Sequence, residues 1–428
     1  MLRSQFARLA FLGTYAAFAY AAPSFYKDVL PILQQHCQTC HRPGEAVPMS
    51  LINYSDAKVW ATAISIAVNS HQMPPWYADP SIGHFANDRS LSESEIRTIT
   101  DWVAAGEPVG DSKESPKPIH WVDGWSIGQP EIVFEVPTAF NVPTSGIVPY
   151  QYAIVPTHFK KDTWVRLAEV RPGDRLHTHH IVVSVREPGS AWLAGEPTGI
   201  PFAVDPQARG GGFPGEFLAG YGPGAMPELL APGQAKLIKA GSDLVFQLHY
   251  TPDGQPGCDR SRIGLVLSHS PPRQRILMLA AANIRFHIPA GDPDYQVDAR
   301  ITLHSAATLV SLLPHMHWRG KSFEFRVVFP DGRTQTVLRV PHYSYNWQLS
   351  YYLASPLFLP PGTTIECTAH FDNSAANPYN PDPTKSVHFG PQSWDEMMIG
   401  YFEIATDLKN GLRDLLLPQR TIPPANTM

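Results

Sequence analysis

Charge is scarce in this chain of 428 residues: Asp, Glu, Lys and Arg make up 17%, below the usual quarter or so. With 33 Lys plus Arg against 38 Asp plus Glu, the formal charge is -5. No basic run stands out that could neutralise a phosphate backbone, so nucleic acid is a poor partner. Cysteine is scarce too, with four residues, and no second C-x-x-C pair exists to complete a four-thiolate zinc centre. Beyond the first residues no apolar run is long enough to cross a bilayer. From Pro130 to Leu408 no helix-length amphipathic stretch occurs, which argues against a helical bundle. What the chain does have is 43% apolar and 11% aromatic residues, which excludes disorder and coiled coil as the main state. Its 43 Pro and 31 Gly are spread without a short period, the mark of many short strands and turns. The length suggests roughly three domains.

Arg3 and Arg8 precede the apolar run from Leu9 to Ala22, and Ala19-Tyr20-Ala21 offers small residues to a signal peptidase. The run is shorter than the ~20 residues of a membrane span, so residues 1–22 read as a cleaved secretory signal, with an uncleaved anchor as the alternative. The mature protein is expected to begin near Ala22 or Pro23 and to be secreted or periplasmic. In that oxidising compartment the cysteines must serve as bridges or as cofactor attachments.

Cys37-Gln38-Thr39-Cys40-His41 is the C-x-x-C-H attachment signature of a c-type haem. Two thiols at this spacing form thioethers to the haem vinyls, and the following imidazole is positioned as the proximal iron ligand. The surroundings suit a small helical domain. Tyr26 to Gln35 has helical spacing, Val59 to Asn69 is a second helix candidate, and Ser92-Glu93-Ser94-Glu95 is a capping box opening a third helix that Gly106 closes. A thioether sixth ligand is expected from Met73, with His71 as the rival and Met49 packing against the haem edge. We take 23–112 as a cytochrome c-like domain and 113–129 as a linker, marked by the charges and prolines of Gly110 to Lys117.

From Pro130 onward short β-branched or aromatic runs alternate with Pro/Gly turns, as in Phe323 to Phe329, Pro330-Asp331-Gly332 and Gln335 to Val340. That hairpin pattern over so long a stretch predicts two all-β sandwiches, over 130–270 and 271–415, dividing at Pro271-Pro272, with a tail over 416–428. The 18 histidines include several close groups. Pro314-His315-Met316-His317 places two imidazoles at i and i+2, on one face of a strand, where they can chelate one ion. In Leu244 to Tyr250 the apolar Leu244, Phe246, Leu248 and Tyr250 share one face, which leaves His249 on the other with Val245 and Gln247. In His177-Thr178-His179-His180 strict alternation pairs His177 with His179. Adjacent His179 and His180 can instead bind one ion where a strand begins or bulges, and period alone does not choose. Imidazole sites without thiolate or carboxylate suit copper or zinc, and a thioether favours the cuprous ion. Beside a redox haem, copper is the first choice.

Taken together, His179-His180-Ile181, Gln247-Leu248-His249-Tyr250, His315-Met316-His317 and Asp395-Glu396-Met397 resemble, in order and spacing, the type II copper, ascorbate-dependent monooxygenases, the group of peptidylglycine alpha-hydroxylating and dopamine beta-monooxygenases. The resemblance covers about residues 130 to 405. It implies two jelly-roll-like β-sandwich domains facing each other across a wet cleft with one copper on each. It implies a first copper held by His179, His180 and His249, with His180 taken over His177. A second, where oxygen and a C–H substrate meet, is implied at His315, His317 and Met397, with Met398 as the structural alternative. The fused haem domain and the few cysteines depart from the animal enzymes, whose disulfide framework and substrate-anchoring residues are not carried over. Cys258 and Cys367 fall in different sandwiches.

The expected function is therefore that of an exported haem- and copper-containing monooxygenase acting on a small organic substrate with O2. Its electrons come from an external donor and pass through the haem at Cys37, Cys40, His41 and Met73. Its rivals are a non-catalytic electron-transfer or copper-binding protein, and a β-sandwich binding module.

Overall fold

A computed structural model of the chain describes residues 22–45, 49–121, 124–204, 215–222, 228 and 230–418. All of the expected signal segment except Ala22, and the tail beyond Pro418, lie outside the described residues. Among the described residues, those up to Pro43, from Met49 to Met73 and over Leu91–Pro118 form a helical unit. Gly44, Glu45, Pro74–Ser90 and the residues from Ile119 onward form a β unit.

In the helical unit a π-type turn at Phe25–Val29 leads into the helix Leu30–His36. Tyr54–Val59 and Ala61–Asn69 are separated by a break at Trp60, and Glu93–Ala104 carries the expected capping box from Ser92 to Glu95. Each helix turns its apolar stripe inward, so Phe25, Leu33, Ile64, Ile99 and Trp102 make one core. Residues 108–117, the end of the expected 23–112 domain and the start of the expected 113–129 linker, are tied to this unit. Phe25 and Tyr26 donate their N–H groups to Pro108 O and Val109 O, and Gln34 Nε2 donates to Lys117 O. The haem-domain boundaries shift the other way at Pro74. Pro74-Pro75 turns the chain out of the helical unit, and Trp76 and Phe85 pack on Tyr351 at 4.9 and 5.5 Å between ring centroids. Backbone bonds from Ala86 N–H to Tyr352 O and from Ala354 N–H to His84 O, both 2.8 Å, cover what would otherwise be a bare sheet edge.

The β unit is mostly strand, in several sheets. An eight-stranded sheet runs, in spatial order, Ile132–Glu135, Arg262–Leu267, Thr163–Arg171, Gln234–Ile238, Gln274–Asn283, Met398–Thr406, Ala307–His315 and Tyr351–Leu359. Its two halves meet through a short parallel pairing, Gln234 with Gln274 and Ala235 with Arg275. A five-stranded sheet (Phe202–Ala203, Gln151–Pro156, Asp243–Tyr250, Thr178–Arg186, Glu216–Tyr221) covers the first half. A four-stranded sheet (Tyr295–Thr302, Thr364–Phe371, Gly320–Val328, Thr334–Val340) covers the second.

Alternation fills the space between these layers. Leu244, Phe246, Leu248 and Tyr250 all enter one core with Ile181, Val183, Val165 and Ile263. Phe323, Phe325, Ile365 and Phe371 enter a second with Leu277, Leu309, Phe402 and Ile404. The core changes between the strands ending at Leu267 and starting at Gln274, around Pro271-Pro272. Buried ion pairs span the seam, with Lys236 on one half bonded to Glu403 at 2.9 Å on the other and also paired with Glu228. Past Leu408 a short helix, Leu412–Leu416, opens after Gly411. Cys258 is exposed and Cys367 is buried in the second core, and both are free thiols.

Candidate metal centre

The first histidine group is made by a β-bulge. Along the Thr178–Arg186 strand, Thr178 pairs with Tyr250 and His180 pairs with His249, which leaves His179 as the extra residue. One additional residue in a strand lets two neighbours reach the same side, which strict alternation forbids. His179, His180 and His249 thereby converge, with ring centroids 4.9 to 5.3 Å apart, and each offers a ring nitrogen within 4.8 Å of the others. The Nδ1 atoms of His179 and His180 face each other at 3.0 Å, and His249 Nδ1 is buried without a hydrogen-bond partner. Burying such a lone pair unsatisfied costs ~1–3 kcal/mol, and a cation would use it. Burial, helped by His315, lowers His179 to about 4, and burial with His179 lowers His249 to about 3. Burial and the neighbouring histidines take His180 the same way. The three imidazoles are thus neutral near pH 7, the form that ligates metal. His177 stands outside the group, its ring held by Asp174 at 2.6 Å and Asp253 at 2.9 Å.

The second group grows from the Ala307–His315 strand. His315 pairs with Ile399 at the end of the paired stretch, His317 follows two residues on, and Met397 immediately precedes the strand Met398–Thr406. Met316 and Met398 are both fully buried in the second core. The rings of His315 and His317 lie 5.3 Å apart. Each is oriented through Nδ1, which donates to Gln348 Oε1 at 2.6 Å in His315 and to the Asp395 carbonyl at 3.3 Å in His317. Both therefore keep Nε2 as a free lone pair, the arrangement by which ligating histidines are usually fixed. Burial holds both rings below their ordinary pKa. The turn that aims His317 is anchored by the fully buried Glu396, which accepts from the backbone N–H of His317 at 2.9 Å and of Arg319 at 2.6 Å.

The two groups adjoin. The ring of Tyr345 stacks on His179 at 5.2 Å and 15° and meets His317 edge-on at 6.0 Å. Tyr150 lies 4.6 Å from His249 and 5.7 Å from His180, and its hydroxyl donates to Pro391 O at 2.9 Å. Two tyrosine rings thus lie where the groups adjoin, Tyr345 against His179 and His317 and Tyr150 against His249 and His180. Gln348, Glu396, Tyr345 and Tyr150 were not singled out as functional from sequence. Glu396 carried a signal, a carboxylate inside the Asp395-Glu396-Met397 motif, whereas Gln348 and Tyr345 sit in a loop without periodicity.

In the helical unit, Cys37 to His41 form a turn at the end of the Leu30–His36 helix, with the N–H groups of Cys40 and His41 donating to Cys37 O at 3.1 and 2.9 Å. Cys37 and Cys40 are not joined in a disulfide. Burial, with Cys40 beside it, pushes Cys37 up to about 12. His41 Nδ1 is buried without a hydrogen-bond partner, and burial lowers the His41 pKa. Met49 packs against the helical core. Met73, half-buried, closes the turn after Ala61–Asn69 by donating its N–H to Ala67 O at 3.2 Å. His71 is exposed and has positive φ.

Neither a protein-family model nor a curated protein matches the chain. Solved structures that align with it include infectious bursal disease virus Gt strain, at 11% identity over 67% of this chain and 75% of that one, with a TM-score of 0.18. The VP2 subviral particle of the same virus aligns at 11% identity over 67% of this chain and 74% of that one, with a TM-score of 0.19. Likeness this slight carries no argument about the chain's fold or chemistry.

Proposed function

We propose that the chain is an exported copper-dependent monooxygenase, with a cytochrome c-like domain ahead of two jelly-roll-like β-sandwiches, that hydroxylates a C–H bond of a small organic substrate. The observation that carries this reading is the pair of adjoining imidazole groups, half-buried or buried and held below their ordinary pKa, with ring nitrogens facing one another or left free. Three nitrogens on one side and two nitrogens on the other, with Met397 proposed to add a thioether, fit two copper ions better than any ion that prefers oxygen donors. Two cysteines outside any disulfide, Cys37 and Cys40, and the buried His41 Nδ1 without a hydrogen-bond partner fit a covalently attached haem.

Copper, when bound, supplies one-electron chemistry and the capacity to activate O2. His179, His180 and His249 would hold one ion, and His315, His317 and Met397 the other. Gln348 and the Asp395 carbonyl fix the tautomers of His315 and His317, so their lone pairs point outward without rearrangement. Glu396 holds the backbone between His317 and Arg319 in place. Tyr150 and Tyr345 pack against the imidazoles and would restrict how they turn. Cys37, Cys40 and His41 would hold the haem, with Met73 as its sixth ligand, in the path of electrons from an external donor.

The test is metal quantification with electron paramagnetic resonance on protein reconstituted with copper, followed by oxygen uptake with a reductant and candidate substrates. Two copper ions per chain and substrate-dependent oxygen uptake are expected. Bound copper without such uptake would leave an electron-transfer or copper-carrying protein, and no bound copper would leave a β-sandwich binding module.

A further inference from the structure

One short loop touches both histidine groups. Tyr343 accepts the Met316 N–H at 3.1 Å and donates to Met316 O at 2.8 Å, so the backbone between His315 and His317 is clasped from the loop side. Gln348 accepts from His315. Between these two residues, Tyr345 lays its ring face on His179 at 15° and presents it edge-on to His317 at 86°. Its hydroxyl is hydrogen-bonded to Ser393 Oγ at 2.7 Å, which holds the ring from the far side. A mobile side chain would not be fixed at both its ring and its hydroxyl. The arrangement gives a continuous series of ring contacts, His249 to His179 to Tyr345 to His317, with centroids 5.2, 5.2 and 6.0 Å apart.

Resting on the copper reading above, we infer that Tyr345 is the bridge through which an electron crosses from the three-histidine group to the group of His315, His317 and Met397. Transfer goes through contacting rings and not across solvent. In that step the ion at His179, His180 and His249 goes from cuprous to cupric, and the electron it loses is gained at the other group. The electron is replaced by an external one-electron reductant of the ascorbate class or by the haem. No bond forms or breaks in Tyr345, and its phenol stays protonated and bonded to Ser393. Tyr345 is thus a positioning and conducting residue, and the ring, not the hydroxyl, carries the effect.

The experiment uses the full chain loaded with copper, given one electron equivalent of ascorbate, and followed by freeze-quench electron paramagnetic resonance, which separates a three-nitrogen site from a two-nitrogen, one-sulfur site. In wild type the cupric signal should redistribute between the sites in a fast phase. Tyr345→Leu should keep two copper ions per chain and lose the fast phase, and Tyr345→Phe should retain it. A Tyr345→Leu protein that keeps both ions and the fast phase overturns the bridge and leaves the copper reading standing. Wild-type protein that binds no copper overturns both. A second measurement needs no variant. The fully cupric wild type should show mutual dipolar broadening of the two signals, and two independent, unbroadened line shapes would refute the contact on which the bridge depends.

Discussion

Acid should destabilise the metal-free protein above the pH range in which its carboxylates titrate, because the site imidazoles are buried in their neutral form. Burial lowers His179 from the ordinary 6.5 to about 4 and His249 to about 3. Between those values and 6.5 the unfolded chain binds protons that the folded chain refuses. The stability these two groups contribute is therefore fully present above pH 6.5 and is lost as pH falls toward the folded values. One unit below 6.5 each group costs about 1.4 kcal/mol, about 3 for the pair, and two units below the pair costs about 5 kcal/mol. Against a whole-domain stability of roughly 5–15 kcal/mol that is a large share. His180, His315 and His317 shift in the same direction and add to it. His177 works oppositely. Burial disfavours its charge, but Asp174 and Asp253 raise its pKa overall, so it adds stability at lower pH that is lost as pH rises through its folded pKa. The assay is urea unfolding of the metal-free chain from neutral pH down to about two units below 6.5, on wild type and His249→Phe. The variant should lose about 1.4 kcal/mol per pH unit less than wild type. Equal slopes would mean that His249 titrates normally in the folded chain, and the buried neutral cluster would be refuted.

Three further outcomes follow from particular contacts. Gln348→Leu leaves His315 Nδ1 without its partner, and should weaken metal binding at the His315 and His317 group by roughly 10–100-fold, leaving the three-histidine group unchanged in a two-site calorimetric titration. Glu396→Ala removes the acceptor of two buried N–H groups and the partner of the buried Arg319 guanidinium at 3.9 Å. Burial raises Glu396 to about 8, so near neutrality the loss is of two buried hydrogen bonds rather than of an ion pair, about 2–6 kcal/mol in urea unfolding, and Glu396→Gln less. Lys236→Met leaves the buried Glu403 carboxylate uncompensated at the seam between the halves, while burial and Glu403 raise Glu228 to about 8, so a loss of about 3–5 kcal/mol in urea unfolding at neutral pH is expected, shrinking as Glu403 is protonated in acid.

What the sequence discloses about this site, and what it conceals, follows from which contacts have a period. The face of Leu244, Phe246, Leu248 and Tyr250 is visible because pleating forces residues two apart to the same side, and all four enter the first core. The same rule sends one of Met397 and Met398 inward, and Met398 is the one in the second core. The His177 to His180 run defeats the rule, since the answer lies in a register shift against Tyr250 and His249, more than sixty residues along the chain. A bulge is a property of two strands together, and neither strand alone encodes it. The Pro74–Ser90 segment was assigned to the haem domain for a similar reason. Its attachment to Tyr351 and Tyr352 is made by aromatic packing and backbone bonds, which no local pattern announces.

Tyr345 and Gln348 are the least legible of all, and the most consequential for the chemistry. They lie in an irregular loop between the strands Thr334–Val340 and Tyr351–Leu359, and their roles exist only once both histidine groups are in place. The resemblance led to an open, wet space between two separate groups, because a motif specifies ligands and says nothing about what stands between them. Here the ring of Tyr345 lies in contact with His179 on one side and His317 on the other. Substrate entering between the groups must then displace Tyr345 or bind beside it. A substrate that displaced the ring would break the series of contacts on arrival, so coupling between electron delivery and substrate binding should depend on the size of the substrate. Slower electron redistribution in the presence of larger bound substrates, measured by the same freeze-quench signals, would follow from displacement, and a rate independent of substrate size would place the substrate beside the ring.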